Sequence, residues 1–221
     1  MCLRVRITVE RRRRKVTMKE PSVAEKQAGV VLHEKSWTDK EIAREAYNFL
    51  KEQDAVRFPV DTYELAKNQK FKLKWRDFSS VDPNIVGMIL VDDRGKQYRK
   101  NGLSDRRIIA LSDTLSEAEE RFIVGHELGH YYLHGRGRGE TLYAFSDKEP
   151  LDLSNPEEYQ AERFAMDLLL PEGAMRTAVR LYKERWSDRG TYATLKEYIC
   201  DMFFVPPDKA KQRLDELGLL A

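Results

Sequence analysis

Hydrophobic residues recur at helical spacing from residue 38 onward. Thr38 is a suitable N-cap, and Ile42, Ala46 and Phe49 follow it at steps of three or four residues. This pattern predicts a first helix over SWTDKEIAREAYNFLKEQ, and PVDTYELAKNQ (59–69) predicts a second, shorter helix. The ordered part of the chain is therefore expected to begin close to Trp37.

The next three patterned segments are typical of β-strands. They are FKLKW (71–75), NIVGMILVD (84–92) and RRIIALS (106–112), which alternate or are continuously apolar and rich in β-branched residues. Short connections between them favour antiparallel pairing. The sequence thus predicts a small, largely antiparallel sheet of about three strands.

A capping box marks the start of the following helix. Ser116 is the N-cap residue, and Glu119 stands three residues later. The apolar stretch after it predicts a helix that ends at Gly135, the first glycine of GRGRG. A polar loop is expected from there to about residue 154.

The rest of the chain is predicted to be helical. Asn155 and Pro156 suit the N-cap and N1 positions of one helix, and Pro171 ends it. Three further helices are predicted over GAMRTAVRLYKERW (173–186), TLKEYICDMFF (194–204) and PPDKAKQRLDELGLL (206–220).

Composition narrows the class of protein. Charged residues make up 34% of the 221 residues but nearly balance, with a formal net charge of +2, which argues against a protein that coats nucleic acid. Cys2 and Cys200 stand at opposite ends and form no CxxC pair, so a disulfide framework is not expected. No run approaches the roughly 20 apolar residues of a membrane helix, and no signal peptide is recognised. We expect a cytoplasmic protein.

One segment combines apolar residues with chemically active ones. In VGHELGHYYLH (124–134), His126, His130 and His134 stand at steps of four, and Glu127 is the one carboxylate. Residues i and i+4 of a helix lie on one face with Cβ atoms about 5–6 Å apart. The imidazoles of His126 and His130 can therefore bind the same metal ion.

A zinc ion accounts for this composition better than a purely structural role. Burial of an unpartnered carboxylate in an apolar helix is costly, and a cation would partner both the imidazoles and the acid. Zinc lowers the pKa of its bound water to about 7, and Glu127 is placed to take the proton as the resulting hydroxide attacks a carbonyl. Three structural histidines and a surface glutamate would explain the segment poorly.

His134 does not suit the third ligand position. The longer motif HExxHxxGxxH would need Gly at 133 and His at 136, where this chain has Leu133 and Arg136. On a continuous helix, His134 lies about 12 Å along the axis from His126, at 1.5 Å per residue. We expect His134 to support a ligand or to act as a cation near the helix C-terminus, and the third ligand to come from another segment.

Two motifs in this order resemble a known family. RFIVGHELGHYYLH, followed by ExxAxxFAxxLLLP within NPEEYQAERFAMDLLLP (155–171), resembles the ImmA/IrrE family of zinc metallopeptidases. The resemblance spans residues 40–175. It implies an α+β, zincin-like domain in which a small, mostly antiparallel sheet packs on the HExxH helix, followed by a helical C-terminal segment.

The resemblance also implies the third zinc ligand. In the family, this is the glutamate three residues before the small residue of the second motif, which is Ala161 here, so Glu158 is implied. Glu158 shares a helix face with Ala161 and Ala165. Glu157 lies on nearly the same face and stays an alternative, and Glu158 could instead close a capping box on Asn155.

The resemblance implies a regulatory, zinc-dependent endopeptidase. Zn²⁺ would be bound by His126, His130 and Glu158, with Glu127 as the catalytic base. The protein substrate would be a helix-turn-helix repressor of a phage, a mobile element or a stress response, or an antitoxin-like partner. The substrate-binding cleft would lie between the sheet and the HExxH helix, beside the GRGRGETLYAF loop. An extended segment of the substrate would bind there by adding to an edge of the sheet. Tyr143 could stabilise the oxyanion, although a surface or packing role suits it better.

Two other functions stay open. One is a non-catalytic, zinc-containing transcriptional regulator that acts by binding DNA or protein. The other is a toxin–antitoxin component that uses this domain as a binding surface. A purely structural zinc site would not need Glu127, which favours the enzyme.

Four positions depart from the family pattern. The family often has Asn where this chain has Ser112 and Glu162, and Thr or Ala where it has Ile123 and Gly125. None is a ligand or base position, so we expect these departures to affect substrate contacts rather than the chemistry.

The last two predicted helices resemble a helix-turn-helix, with Phe204 and Val205 entering the turn. A DNA-reading helix needs hydrogen-bond donors near its start, and Lys209, Lys211 and Gln212 are available. Family members without DNA-binding activity often end in a similar segment. A packing subdomain or a protein-docking surface is therefore favoured over DNA binding.

The chain is accordingly divided into three parts. Residues 1–35 contain the basic run RRRRK (11–15) without interleaved aromatic residues, which favours a flexible N-terminal extension over a nucleic-acid-binding arm. Residues 36–175 are the expected metallopeptidase domain. Residues 176–221 are the expected helical C-terminal subdomain.

Overall fold

The computed structural model describes residues 36–79, 82–92, 106–135, 142–147, 155–185 and 194–220. The predicted N-terminal extension and the glycine-rich part of the loop after Gly135 lie outside the described residues. In chain order the elements are α1 (Asp39–Glu52), α2 (Thr62–Asn68), β1 (Lys72–Arg76), β2 (Ile85–Val91), β3 (Arg107–Ser112), α3 (Glu117–Gly129), β4 (Leu142–Asp147), α4 (Pro156–Leu169), α5 (Glu172–Arg185), α6 (Leu195–Phe203) and α7 (Pro207–Glu216).

The four strands form one sheet in the order β1-β3-β2-β4. Strand β2 pairs antiparallel with both β3 and β4, whereas β1 runs parallel to β3. The mostly antiparallel sheet of an α+β fold, as predicted, is confirmed. The register places Ile89 opposite Ile109 at the centre of the sheet.

Strand β4 corrects the sequence interpretation, which assigned residues 136–154 to a polar loop. Leu142–Asp147 lies against β2, with Tyr143 opposite Leu90 and a register shift between Ile85 and Gly87. This strand depends on pairing with a segment 51 to 62 residues earlier, a non-local contact that a local pattern does not show. The glycines and charges before it favour a loop on local grounds alone.

The helix starts agree with the capping residues identified in the sequence. The Thr38 side chain accepts a hydrogen bond from the backbone of Glu41, and the Ser116 side chain accepts one from Glu119, each within a complete capping box. Asn155 accepts a hydrogen bond from the backbone of Glu157 instead. Each cap satisfies a donor that the first helical turn leaves without a partner.

The helix that carries the HExxH motif changes geometry at its second histidine. Helix α3 ends at Gly129, and His130–Gly135 continues it as a π-helical turn. The predicted end at Gly135 is therefore confirmed, but the assumption of one continuous α-helix out to His134 is wrong. Such π-turns are rare and occur often at functional sites.

Helices α3 and α4 lie at the centre of one hydrophobic core. Phe49 of α1, Phe122 of α3 and Phe164 of α4 belong to it, and so do Ile199 of α6 and Leu214 of α7. Full burial of such side chains contributes about 1.5–3 kcal/mol each. The C-terminal helices share this core, and the predicted boundary after residue 175 stays a prediction. Among the described helices, none is both long and apolar enough to cross a bilayer.

A short turn joins α6 to α7. Phe204 ends α6 in the left-handed conformation, with φ of 54° and ψ of 56°. Its ring lies 5.0 Å from the guanidinium carbon of Arg121 on α3. Val205 follows and is buried. The turn is thus held against the helix that carries the HExxH motif.

Candidate metal centre

A glycine lets the two helices of the candidate site approach closely. A Cβ atom at Gly129 would lie 2.9 Å from the carbonyl oxygen of Ala161 and 3.0 Å from its Cα atom. At Gly125, one turn earlier, a Cβ atom would make ordinary contacts, the nearest being 3.6 Å from the Cβ of Ala165. Helix α3 therefore touches the backbone of α4 at Gly129, immediately before His130.

This contact brings three side chains together. The Nε2 atoms of His126 and His130 lie 3.0 Å apart. Glu158 Oε2 lies 3.2 Å from Nε2 of His126, and Glu158 Oε1 lies 3.2 Å from Nε2 of His130. Both histidines are buried, and the Glu158 side chain is 25% exposed, so the cluster is open on the Glu158 side.

The spacing of these donor atoms fits a metal ion. In tetrahedral zinc coordination with bonds of about 2.0–2.1 Å, neighbouring donor atoms stand about 3.3 Å apart. The three distances above, 3.0 to 3.2 Å, are close to that edge length. Two ring nitrogens facing each other at 3.0 Å also need a proton or a cation between them, because their lone pairs repel. His126, His130 and Glu158 could form a metal site.

The charges of the cluster reinforce one another in the absence of metal. Burial acts to lower the pKa of His126, but hydrogen bonds to Glu158 and Glu162 and the charge of Glu127 outweigh it and raise this pKa to about 10. Burial acts to raise the pKa of Glu158, but the two imidazoles outweigh it and hold this pKa far below its usual range. A metal ion that binds here must therefore displace a proton.

Glu127 lies in α3 directly after His126 and is fully buried. Its charge is one of the causes that raise the pKa of His126, so the carboxylate and that imidazole interact. A buried carboxylate beside the donor cluster suits a proton acceptor at the site. The role of catalytic base stays a prediction.

The other sequence candidates take different positions. His134 is buried, and its Nε2 atom lies 2.9 Å from Oε1 of Gln160 on α4, away from the three donor atoms. Glu157 donates its backbone N–H to Asn155, and it is Glu158 whose carboxylate contacts the imidazoles. The backbone of Tyr143 pairs in β4, but its side chain lies outside what the structure describes.

Sequence reasoning missed a carboxylate on the other side of His126. Oε2 of Glu162 lies 3.5 Å from Nδ1 of His126, and Oε1 of Glu162 accepts a hydrogen bond from Nζ of Lys209 at 2.5 Å. The expectation that Glu162 affects substrate contacts rather than the chemistry does not match this position. The sequence spacing could have indicated this position, because Glu162 stands four residues after Glu158 and shares its helix face.

The three candidate DNA-reading donors of α7 each bond a carboxylate of the protein. Lys209 bonds Glu162, Lys211 bonds Asp215 at 2.6 Å, and Gln212 bonds Glu216 at 3.1 Å. The contact of Lys209 with Glu162 on α4 supports the packing role that the sequence favoured for α7, whereas the other two pairs lie within α7.

Comparisons with known proteins agree with this geometry. A family model described as the IrrE N-terminal-like domain of the M78 peptidases matches residues 87–199, just over half of the chain. The chain is 29% identical over 136 residues to "Metallopeptidase ImmA" of Bacillus subtilis (strain 168), covering 59% of this chain and 70% of that protein.

A second relative comes from a phage. The chain is 35% identical over 88 residues to "Uncharacterized immunity region protein 2" of Bacillus phage phi105, covering 40% of this chain and 46% of that protein. The family implies a metal ion, and the three clustered donors are the side chains available to bind it. With its paired motifs, its fold and more than half of its length matched, this chain belongs to the ImmA/IrrE family of metallopeptidases.

Proposed function

We propose that the protein is a zinc-dependent endopeptidase of the regulatory type. The observation that carries the proposal is the cluster of His126, His130 and Glu158 donor atoms, spaced for one tetrahedral ion, with buried Glu127 beside it. Zinc suits two imidazoles and one carboxylate with a fourth position left open. The 25% exposure of Glu158 provides that opening.

The proposed chemistry divides the work between the cluster and Glu127. A bound zinc ion would supply Lewis acidity, lowering the pKa of a water ligand to about 7 and polarising the scissile carbonyl. Glu127 would accept the proton of the attacking water and pass it to the leaving nitrogen. Burial excludes competing solvent from this carboxylate and strengthens its interactions. The contact of α3 with α4 would hold the rings of His126 and His130 in place.

We propose a helix-turn-helix repressor or an antitoxin-like protein as the substrate, within the cytoplasm. The support is the similarity to a metallopeptidase and to a phage immunity region protein. The substrate would lie in an extended conformation along the β4 edge of the sheet, since β4 is the outer one of the described strands on that side and contacts both α3 and the π-helical turn.

The deciding experiment uses Glu127→Gln, which removes the base and keeps the volume of the side chain. The variant should keep the metal and the fold, and it should still capture the repressor encoded beside the gene. Cleavage should fall by about 10²–10⁴-fold, the contribution typical of a general base. Glu157→Gln, on the neighbouring helix but outside the cluster, is the matched control and should cleave normally.

Two results would reject the proposal. If purified wild-type protein binds no metal, the proposed zinc site is rejected. A Glu127→Gln variant that relieves repression in cells as fully as wild type would show that proteolysis is not the activity. The alternative of a non-catalytic regulator or toxin–antitoxin component would then stand.

A further inference from the structure

One carboxylate connects the candidate metal centre to the C-terminal helix α7. Glu162 uses its two oxygens separately: Oε2 faces Nδ1 of His126 at 3.5 Å, and Oε1 accepts from Lys209 Nζ at 2.5 Å. The side chains of Glu162 and Lys209 are only 10% and 21% exposed. His126 therefore has Glu158 beside one ring nitrogen and Glu162 beside the other.

This arrangement suits the requirements of a metal-binding histidine. The ring nitrogen away from the metal should donate its proton to an acceptor, which fixes the tautomer and the orientation of the ring. Glu162 is that acceptor for His126. The carboxylate of Glu162 also contacts the ammonium group of Lys209, so it lies between a ring nitrogen and a positive charge.

Lys209 is well placed to fix this carboxylate. Its ammonium group lies 4.8 Å from the centre of the Phe122 ring on α3 while it bonds Glu162 on α4, so it contacts both helices of the site. Helix α7 is itself fixed to α4. Arg213 bonds Asp167 and the carbonyl oxygen of Leu170, and Arg163 bonds Glu216 at 2.9 Å.

We propose that Glu162 and Lys209 are positioning residues of the metal centre, and that α7 contributes to this centre through Lys209. Lys209 holds the Glu162 carboxylate, and Glu162 holds the His126 ring with Nε2 toward the metal. The inference rests on the proposed metal site. It does not depend on which protein is cleaved, because it is tested on metal affinity and coordination.

The test compares five variants of the whole chain: Glu162→Gln, Lys209→Met, Lys209→Arg, the double variant Glu162→Gln/Lys209→Met, and Lys211→Met. Methionine matches the lysine side chain out to Cε and removes its ammonium group. Lys211, on the same helix, has a 62% exposed side chain paired with Asp215 and serves as the control. Zinc affinity is measured against a competing chelator, coordination by the visible absorption of the Co²⁺ form, and folding by thermal denaturation.

Glu162→Gln should weaken zinc binding by about 10–100-fold, the usual cost of losing the outer partner of a ligand. Lys209→Met should shift affinity and the Co²⁺ spectrum in the same direction, and Lys209→Arg should restore part of both. The double variant should bind zinc no more weakly than Glu162→Gln, because Lys209 acts through Glu162. Lys211→Met should match wild type.

Three results would overturn the inference. One is wild-type zinc affinity and an unchanged Co²⁺ spectrum in Lys209→Met. Another is a double variant whose loss equals the sum of the single losses, with Lys209 acting independently of Glu162. The third is a Lys209→Met effect that follows thermal stability alone and also appears in Lys211→Met. A wild-type protein that binds zinc tightly but cleaves nothing would reject the proposed function and leave this inference intact.

Discussion

Helix α4 packs against α3 on one side and against α7 on another, and these two interfaces differ in chemistry. Toward α3 it presents Ala161 and Ala165, and the approach is so close that only Gly129 fits opposite. Toward α7 it presents Glu162, Arg163 and Asp167, and each bonds a charged partner. The partners are Lys209, Glu216 and Arg213 respectively. The first interface sets the distance between donor groups, and the second sets their charge and orientation.

The two interfaces of α4 should be destabilised by different kinds of substitution. A close-packed interface is damaged by one added methyl group, because neighbouring backbone has no room to move. An ionic interface is damaged when one partner is removed, because a buried charge then loses its compensation. The following variants test each half.

The largest effect is expected at Arg213, which is 1% exposed and bonds both Asp167 and a carbonyl oxygen. Arg213→Met should lower the free energy of unfolding by about 3 kcal/mol, the lower end for a broken buried pair, since Arg163 still bonds Asp167. Urea denaturation measures it. Arg176→Met, which breaks an exposed pair with Glu172, should change stability by less than about 1 kcal/mol. Equal stabilities of the two variants would show that the ionic interface contributes little.

The second-largest effect is expected when Glu158, which contacts the α3 histidines from α4, is replaced. Glu158→Gln should weaken zinc binding by more than about 100-fold, since even an outer partner is worth about 10–100-fold. Glu157→Gln should keep zinc and change stability by a helix-end effect of about 0.3–1 kcal/mol. The zinc content of both purified variants tests this prediction. Loss of zinc in Glu157→Gln and its retention in Glu158→Gln would make Glu157 the ligand.

A matched pair of glycine variants tests the close-packed interface. Both Gly125→Ala and Gly129→Ala gain the same intrinsic helix propensity, about 1 kcal/mol. The added methyl at 129 meets the backbone of Ala161, whereas the one at 125 does not. Gly129→Ala should therefore be less stable than Gly125→Ala by about 1–3 kcal/mol. It should also bind zinc more weakly, because the helices separate. Equal stability and equal affinity in the two variants would contradict the role given to this contact.

The smallest effect for a single step, at most about tenfold for each pH unit, is the pH dependence of zinc binding. The pKa of His126 in the metal-free protein is raised to about 10, so its imidazole is protonated at neutral pH. Zinc must displace this proton, and its affinity should rise by up to about tenfold per pH unit from pH 6.5 toward pH 10. The sign for the metal-free fold is the opposite: the contribution of this raised pKa is full below about pH 6.5 and is lost as pH rises toward 10.

Calorimetry in two buffers of different ionisation enthalpy counts the displaced protons. About one proton per zinc is expected near pH 7.5. A zinc affinity that stays flat from pH 6.5 to pH 8.5 would contradict the electrostatic account of the cluster. Glu162→Gln should release fewer protons, because it removes one of the hydrogen bonds that raise the pKa of His126.

The sequence revealed the features that depend on neighbouring residues. Thr38, Ser116 and Asn155 mark helix starts through caps that act within three residues. His126 and His130 are recognisable because one turn of helix places them on a single face. The order of two motifs then implied Glu158, and the structure brings that side chain to both imidazoles.

The features that the sequence did not reveal depend on distant partners. Strand β4 pairs with β2, and its short apolar run LYAF stands in a sequence otherwise rich in glycine and charge, which hid it. Gly129 looks like any helical glycine until Ala161 is placed against it. The contact between Glu162 and Lys209 joins positions 47 residues apart, and single-sequence spacing holds no information about such a pair.

The left-handed backbone at Phe204 has a consequence for the independence of the C-terminal helices. A non-glycine residue in this conformation costs about 1–3 kcal/mol, and only surrounding structure can maintain it. An isolated α6–α7 peptide would not hold this turn, because the ring of Phe204 finds Arg121 only when α3 is already in place. The turn that positions α7 is therefore expected to depend on α3 for its stability, so a substitution at Arg121 should weaken the docking of a helix more than eighty residues later in the chain.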